Sequence, residues 1–280
     1  MIIPEDKNKI LKEKVLKIIA FISLKGGVGK TTSLLLLAAE LASKGYKVAL
    51  ADKDHQCNLT HFFGIYPEKG TIANIYTGGK VDIVPVAPNI DLIPGSMRLD
   101  EIERQLETNP NKNMFFYDWL DTNYQAIGLD EYDYLLIDCR PDFGIATKNA
   151  IAVSHAVICP VTPSDFAYEG KENLRLRLDA YRQEEIIRPS RESLITAELF
   201  FLPNMVKHNT KKSRELMTAL AEEENVLSPI PHKELFNRAT KDNTIIDMKN
   251  NPETYRSHRA FFDALQGSLD SIIQTIDQVA

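Results

Sequence analysis

A glycine-rich loop between an apolar run and a helix-like segment most constrains the fold of this 280-residue chain. It follows the apolar residues 18–22, precedes the segment 33–42, and reads Lys25-Gly26-Gly27-Val28-Gly29-Lys30-Thr31-Thr32. Glycines let a backbone curl tightly and aim its N–H groups at phosphate oxygens, while the N-terminus of the next helix attracts the same anion. The sequence predicts a phosphate-binding loop in which Lys30 reaches the β- and γ-phosphates and Thr31 binds Mg²⁺.

Lys25 departs from the ordinary form of this loop. The pattern G-x-x-x-x-G-K-T has its first glycine at the position that Leu24 occupies here, and Lys25 stands beside it. A lysine in a tight loop is costly to bury unless an anion lies within reach. We therefore expect a second phosphate or nucleotide near Lys25, the alternative being a chance glycine-rich turn with a solvated lysine.

The loop sequence K-G-G-V-G-K-T-T resembles the deviant Walker A box of the ParA/MinD superfamily. In that superfamily the early lysine crosses a dimer interface to the partner subunit's ATP, and the resemblance implies this role for Lys25. It also implies that the rest of the loop binds ATP, through Gly26, Gly27, Val28, Gly29, Lys30, Thr31 and Thr32.

Two acidic segments extend the resemblance. The segment D-K-D-H-Q-C-N-L-T at 52–60 is similar to the ParA segment D-x-D-P-Q-x-N-L-T, and Y-D-Y-L-L-I-D at 132–138 resembles a Walker B strand. The match implies that Asp54 lies near Mg²⁺ and the attacking water, and that Asp138 holds Mg²⁺ through a coordinated water. A polar loop after a strand is the alternative for Asp54. Arg140 stands where the family has D-T-P-P, and pairing with a nearby acid is the favoured interpretation.

A third region resembles the adenine side of the family's site. The segment F-F-L-P-N-M-V at 200–206 is similar to the strand end whose asparagine contacts adenine, which points to Asn204, and Pro231 lies in the second adenine-side segment. An amide carries both a donor and an acceptor, which suits a purine edge, although an asparagine after a strand also serves as a turn residue. The spacing resembles the family from about Lys17 to about Thr244.

The composition and the alternation of strand-like and helix-like segments indicate the fold class. Hydrophobic residues make up 44% of the chain, and strand-like runs alternate with helix-length segments. We expect an α/β fold, a P-loop NTPase with a parallel sheet and helices on both faces. The expected organisation is an N-terminal extension at 1–16, too short for a helix-turn-helix domain, and a single P-loop ATPase domain at 17–280.

Cysteine usage and hydropathy bear on the compartment. Cys57, Cys139 and Cys159 lack C-x-x-C spacing, so neither a disulfide framework nor a metal cluster is indicated. No apolar run is long enough to cross a bilayer, and the charged N-terminal segment is unlike a secretory signal. A cytoplasmic protein is expected.

The net charge of −6 argues against a uniformly basic nucleic-acid-binding surface, but local basic clusters matter more than the total charge for phosphate contacts. ParA proteins bind DNA non-specifically through basic residues of the C-terminal half, so the resemblance permits that role, with a solvated helix face as the alternative for each cluster. The candidates are Lys211, Lys212, Arg214, Arg238 and Lys241.

The resemblance implies a partition ATPase for a plasmid or chromosome, associated with the nucleoid and slow in intrinsic turnover. A homodimer would sandwich two ATP molecules with Mg²⁺, bind double-stranded DNA non-specifically, and be stimulated by a centromere-binding partner protein. A MinD-like membrane ATPase is an alternative, but the polar side of the apolar stripe at 269–279 carries aspartates and no lysine or arginine. A metabolic P-loop ATPase or ligase is the other alternative.

Overall fold

A computed structural model describes residues 16–163, 167–187 and 189–279, without the side chains of residues 167–170. The expected N-terminal extension therefore lies outside the described residues, apart from Leu16. The centre of the fold is a seven-stranded sheet in the order β3-β4-β2-β5-β1-β6-β7. Its strands are β1 Lys17–Phe21, β2 Val48–Lys53, β3 Val84–Ala87, β4 Ile90–Ile93, β5 Tyr134–Cys139, β6 Ala156–Val161 and β7 Glu198–Pro203.

The helices follow the strands at the predicted rhythm. The α-helices are α1 Lys30–Ser43, α2 Asn58–Phe62, α3 Asn74–Thr77, α4 Leu99–Leu106, α5 Phe115–Asn123, α6 Ile145–Val153, α7 Ala167–Glu184, α8 Lys211–Leu220, α9 Ile245–Asn250, α10 Pro252–Ser257 and α11 Arg259–Ile276. Short 3-10 helices span Leu129–Glu131 and Glu234–Arg238.

The α/β fold and the largely parallel sheet predicted from the sequence are confirmed. The one difference is at the edge, where β3 pairs with β4 in the antiparallel sense. The other strand pairs in the sheet are parallel. A short connection of two residues joins β3 to β4, which is enough for an antiparallel pair but not for a parallel crossover.

Two hydrophobic clusters cover the two faces of the sheet. Successive residues of a strand point to opposite faces, so β2 contributes Ala49 and Ala51 to one cluster and Val48 and Leu50 to the other. The first cluster includes side chains from α3 to α8, and the second includes side chains from α1, α2, α9 and α11. Continuous apolar strands are expected of a parallel sheet that helices cover on both faces.

The C-terminal helix α11 belongs to this core. Its apolar stripe is buried on the sheet through Leu265, Leu269, Ile272, Ile273 and Ile276. This confirms the expectation that the stripe serves core packing. Across the described residues, no helix combines the length and the apolar character needed to span a membrane.

The register of the sheet brings the acidic strand ends together. Asp138 at the end of β5 lies between Phe21 of β1 and Asp52 of β2 as Cα partners. Because the strands are parallel, their carboxyl ends meet at one edge of the sheet, where ligands of open α/β folds bind. The glycine-rich loop leaves β1 at this same edge.

Candidate nucleotide and magnesium site

The glycine-rich loop turns through two left-handed glycines before α1 begins at Lys30. Gly27 has φ +75° and Gly29 has φ +84°, which other residues adopt only with strain. Ser23 braces the start of the loop, because its Oγ donates to the carbonyl of Lys25 at 2.9 Å and accepts the N–H of Lys25 at 3.1 Å. No protein atom lies within 4 Å of a Cβ built on Gly26 or Gly27. The outer side of the loop is thus open to a phosphate.

Asn204 holds the inner side of the loop. Its Nδ2 donates to the carbonyl of Val28 at 2.8 Å, and its Oδ1 accepts the N–H of Met205 at 2.9 Å. A Cβ on Gly29 would lie 2.4 Å from that Nδ2, so only glycine fits there. The predicted adenine contact of Asn204 stays a prediction, and the second N–H of Nδ2 and the second lone pair of Oδ1 are the groups left to make it.

Thr31 and Asp138 meet beneath the loop. The hydroxyl of Thr31, on the first turn of α1, donates to Oδ2 of Asp138 at 2.6 Å. Oδ1 of Asp138 is buried and has no hydrogen-bond partner. Burial, together with the neighbouring carboxylate of Asp52, raises the pKa of Asp138 to about 7, while Thr31 and Lys30 oppose the rise. The charged form of this carboxylate is therefore disfavoured by burial, and a cation at Oδ1 would favour it.

Asp52 is a site residue that we did not select from the sequence. It is fully buried, and its Oδ2 accepts both the N–H of Thr60 at 2.9 Å and the hydroxyl of Thr60 at 2.7 Å. Burial raises the pKa of Asp52 to about 6, although these hydrogen bonds oppose the rise. The available signal was its place at the end of β2, two residues before Asp54.

Asp54 starts the loop that follows β2 and is buried near the same edge. Its Oδ1 accepts the N–H of Gln56 at 2.9 Å, and its own N–H donates to Oδ1 of Asp52 at 3.1 Å. His55, which replaces the family's proline, places Nδ1 at 3.7 Å from Oδ1 of Asp54. The catalytic role of Asp54 stays a prediction.

The two loop lysines differ in their setting. Lys30 is buried at the start of α1, and its positive charge acts on Asp138. Lys25 is half-buried on the loop itself. Thr32 is exposed on α1, on the solvent side of Thr31.

The oxygen donors of this site fit a magnesium ion. Thr31, Asp54 and Asp138 offer hydroxyl and carboxylate oxygens, the ligands that Mg²⁺ prefers, and the unpartnered Oδ1 of Asp138 is available to it or to its water. Within the described parts of the chain, no group of three or more His, Cys, Asp or Glu side chains is placed to hold a metal alone. Magnesium here would keep several waters and bind nucleotide phosphates.

Arg140 is bound by acids, as the sequence suggested. Its Nη1 lies 2.9 Å from Oδ1 of Asp100 and 2.6 Å from Oε2 of Glu103, and its Nε contacts Asp142. Glu103 is buried and also accepts the N–H of Ala146, in the first turn of α6. Arg140 therefore ties α4 to the segment that follows Asp138.

A cavity of about 430 Å³ lies on the adenine side predicted from the sequence. Met205 lines it, and its Cε would lie 3.2 Å from a Cβ on Gly29, which connects the cavity to the phosphate loop. Pro231 forms an isolated parallel bridge with Val206, and His232 lines the cavity. Asn204 and Pro231 are not among the described residues that line the cavity, so the adenine contact of Pro231 also stays a prediction.

The basic candidates fall in two places. Lys211, Lys212 and Arg214 are exposed on the first turn of α8, and both lysines line the adenine-side cavity. Arg238 and Lys241 are exposed in the segment that crosses α1, and Lys241 lines a separate cleft there. Their contact with DNA stays a prediction.

Comparisons with known proteins identify the family of this chain. The sequence matches the AAA domain family over residues 16–192, so the chain belongs to that family. Among its relatives are the chromosome-partitioning ATPase Soj of Treponema pallidum, 35% identical over 159 residues, and the chromosome partitioning protein ParA of Caulobacter vibrioides, 32% identical over 173 residues. The chain is therefore a ParA/Soj-type relative, as its motifs indicated.

The coverage of these matches is partial. They span 55% and 60% of this chain, and 60% and 64% of the Treponema and Caulobacter proteins. The chain thus spans less than two thirds of the length of these relatives.

Two solved structures share the fold and hold nucleotides. A Borrelia burgdorferi B31 protein described as a plasmid partition protein, solved with AMPPNP, has a TM-score of 0.67 and 28% identity, over 79% of this chain and 89% of its own. Cobyrinic acid a,c-diamide synthase of Mycobacterium smegmatis, solved with ADP and magnesium, has a TM-score of 0.65 and 26% identity, over 78% of this chain and 88% of its own.

Proposed function

We propose that this protein is a partition ATPase that uses ATP and Mg²⁺ to switch a homodimer on and off DNA in the segregation of a plasmid or chromosome. The observation that carries the proposal is the pair formed by Thr31 and Asp138 beneath an open phosphate loop. This arrangement supports binding of a Mg²⁺–nucleotide, and the relatives described as partition proteins support the biological role.

The residues divide the work by position. Lys30 and the loop N–H groups bind phosphate, Thr31 and Asp138 hold Mg²⁺, and Asp54 orients the attacking water. Mg²⁺ neutralises charge that develops on the transferred phosphoryl group when it is bound. Hydrolysis then depends on positioning and electrostatics, without a covalent enzyme intermediate, and intrinsic turnover is slow.

Lys25 makes the site depend on a second subunit. By its resemblance to the signature lysine of the superfamily, it reaches the ATP of a facing subunit and neutralises charge across the interface. ATP then favours the dimer, which joins basic residues of both subunits into one DNA-binding surface near the nucleoid. A centromere-binding partner protein stimulates hydrolysis and so releases the dimer from DNA.

Two alternatives receive different support. A MinD-like membrane role is disfavoured because the apolar stripe of α11 is buried in the core. A metabolic ATPase or ligase is favoured by one specific observation, the likeness to a diamide synthase that binds ADP and magnesium. That alternative requires a small acceptor substrate and no DNA dependence.

Sedimentation with Mg²⁺ and either ATP or ADP tests the proposal. The wild type is expected to dimerise with ATP only, Lys25→Ala to bind ATP and remain monomeric, and Lys30→Ala to lose ATP binding. Equal loss of ATP binding in the two variants contradicts the role of Lys25. A wild type that binds ATP yet stays monomeric contradicts the switch.

A further inference from the structure

A second cleft, beside α1, is not used by the proposed nucleotide chemistry. Its volume is about 280 Å³, and its walls come from α1, α2, the β3–β4 edge and residues 236–246. The apolar walls are largely aliphatic and aromatic side chains, among them Leu35, Ala39, Phe62, Phe63 and Phe236. Thr31, Thr32 and Asn58 also line it, so the cleft adjoins the nucleotide motifs.

Lys241 gives the cleft its charge. Among the described residues that line the cleft it is the one charged side chain. Its Nζ would lie 3.8 Å from a Cβ on Gly64, directly after Phe63, so the ammonium stands at the α2 side of the opening. Arg238 is exposed in the same chain segment. The opening therefore carries one cationic side chain, while the interior is apolar.

The size of the cleft favours one anchoring side chain over a whole small-molecule ligand. Ligand sites usually span about 300–1,000 Å³, whereas an apolar cavity of about 150 Å³ already holds benzene. At about 280 Å³ the cleft lies just below that ligand range and has room for one aromatic or branched aliphatic side chain with part of its flanking backbone. In protein interfaces, such an anchor in a desolvated pocket carries much of the binding energy.

We propose that this cleft docks a partner polypeptide through an aromatic or branched aliphatic side chain that is flanked by acidic residues. The anchor packs between α1 and α2, and a flanking carboxylate pairs with Lys241. Since Thr31 and Asn58 share the cleft walls, docking bears directly on the first turn of α1 and on the loop after Asp54. An influence on ATP turnover rests on the proposed function, whereas the docking itself does not.

Three short peptides test the docking with nucleotide-free protein. The probes are N-acetyl-Asp-Phe-Asp-amide, its charge-reversed form N-acetyl-Lys-Phe-Lys-amide, and N-acetyl-Asp-Ala-Asp-amide. Binding is followed by NMR titration of the full chain at low salt. The acidic phenylalanine probe is expected to saturate at roughly millimolar concentration, because a single ring in an apolar site contributes only a few kcal/mol.

The two control peptides distinguish the contribution of the phenylalanine ring to binding from that of the acidic residues. The alanine probe is expected to bind about tenfold or more weakly, since the ring area stays in water. The charge-reversed probe is expected to bind about fivefold more weakly, which is the scale of an exposed ion pair. Lys241→Gln is expected to bring the two phenylalanine probes within about twofold of one another.

A filled cleft completes the test. Ala39→Phe, on the α1 wall, is expected to abolish binding while circular dichroism remains that of the wild type. If that variant does not fold, Ala87→Phe closes the cleft from an exposed position on β3.

Any of three results overturns the proposal. The phenylalanine and alanine probes bind equally, binding persists in the filled variant, or no probe shows saturable binding. Loss of DNA binding in Lys241→Gln with unchanged peptide binding assigns Lys241 to DNA and overturns its part in docking. These titrations contain no ATP, so their failure leaves the proposed partition function standing.

Discussion

The hydroxyl of Thr31 lies 2.6 Å from Oδ2 of Asp138 and donates a hydrogen bond to it, which links the first turn of α1 to the end of β5. The other carboxylate oxygen of Asp138 is buried without a hydrogen-bond partner. One oxygen of the pair is thus positioned by the protein, and the other is free for a cation or its water. Because the protein offers only this one carboxylate oxygen of Asp138, the site suits a magnesium ion that keeps several of its waters.

Replacing Asp138 tests whether its charge destabilises the protein that lacks a cation. Burial raises the pKa of Asp138 to about 7, so stability from the protonated form is present at pH 4 and is lost as the pH rises through about 7. Asp138→Asn is therefore expected to raise the free energy of unfolding at pH 8 by about 1–3 kcal/mol. Urea unfolding without nucleotide or metal measures this difference.

Asp52 provides the matched control for Asp138. Its pKa is also raised by burial, to about 6, but its oxygens accept hydrogen bonds from Thr60 and from the N–H of Asp54. Asp52→Asn removes the charge and also replaces one of these acceptors by a donor. At pH 8, Asp52→Asn is expected to raise the free energy of unfolding by less than Asp138→Asn does. An equal or larger gain contradicts the view that the orphaned oxygen of Asp138 is the costly group.

The close approach of Gly29 to Asn204 predicts a second stability difference. Gly29→Ala places a Cβ at 2.4 Å from Nδ2 of Asn204, whereas Gly45→Ala, with φ +91°, meets nothing within 4 Å. Both variants lose about 1 kcal/mol of stability to an unfavourable φ. Gly29→Ala is expected to cost about 1–3 kcal/mol more, because the clash displaces Asn204 from Val28. Equal thermal unfolding of the two variants would show that the packing at Gly29 is not tight.

Asp54 is expected to act on turnover and not on affinity. Asp54→Ala should bind ATP as the wild type does, while hydrolysis falls about 10²- to 10⁴-fold, the usual contribution of a positioned base. His55→Ala is the neighbouring control and is expected to retain turnover within about tenfold, because its imidazole lies 3.7 Å from the carboxylate and outside hydrogen-bond range. Steady-state phosphate release measures both. If Asp54→Ala hydrolyses ATP at the wild-type rate, Asp54 has no catalytic role.

The Arg140 cluster predicts a loss of stability upon truncation. Arg140→Met leaves the buried Glu103 without its cation, and breaking a buried ion pair in this way costs about 3–5 kcal/mol. The double variant Arg140→Met with Glu103→Gln is expected to recover part of that loss, because no buried charge remains unpaired. Denaturant unfolding of Arg140→Met, Glu103→Gln and the double variant measures the coupling between the two side chains. Additive losses contradict it.

The sequence predicted the fold and the phosphate loop because both depend on local signals. Apolar runs followed by Gly27, Gly29 and Lys30 define a strand, a turn and a helix start within one short segment. The antiparallel edge strand β3 was missed because a strand of four residues is too short for its hydrophobic pattern to indicate a strand. Asp52 was not selected from the sequence, because its burial and its hydrogen bonds with Thr60 arise only in the assembled sheet.

The environment of Lys53 also could not be predicted from the sequence. It lies between two site aspartates in the sequence, yet strand alternation points it to the opposite face, where its Nζ lies 4.3 Å from the centre of the Phe116 ring. Burial lowers the pKa of Lys53 to about 7. Phe116 is more than sixty positions away, so only the folded sheet reveals that the two side chains meet.

Binding to non-specific duplex DNA, measured with ATP, ADP or no nucleotide over a range of salt concentrations, decides whether ATP switches this protein onto DNA. We expect tight binding with ATP only, weakening steeply as the salt concentration rises. Replacing Lys211, Lys212 and Arg214 should lower the salt slope by about 0.9 for each phosphate that these side chains neutralise. Lys25→Ala is expected to abolish the ATP dependence. DNA binding that is the same with and without nucleotide, or binding to anionic vesicles instead of DNA, contradicts the proposed switch.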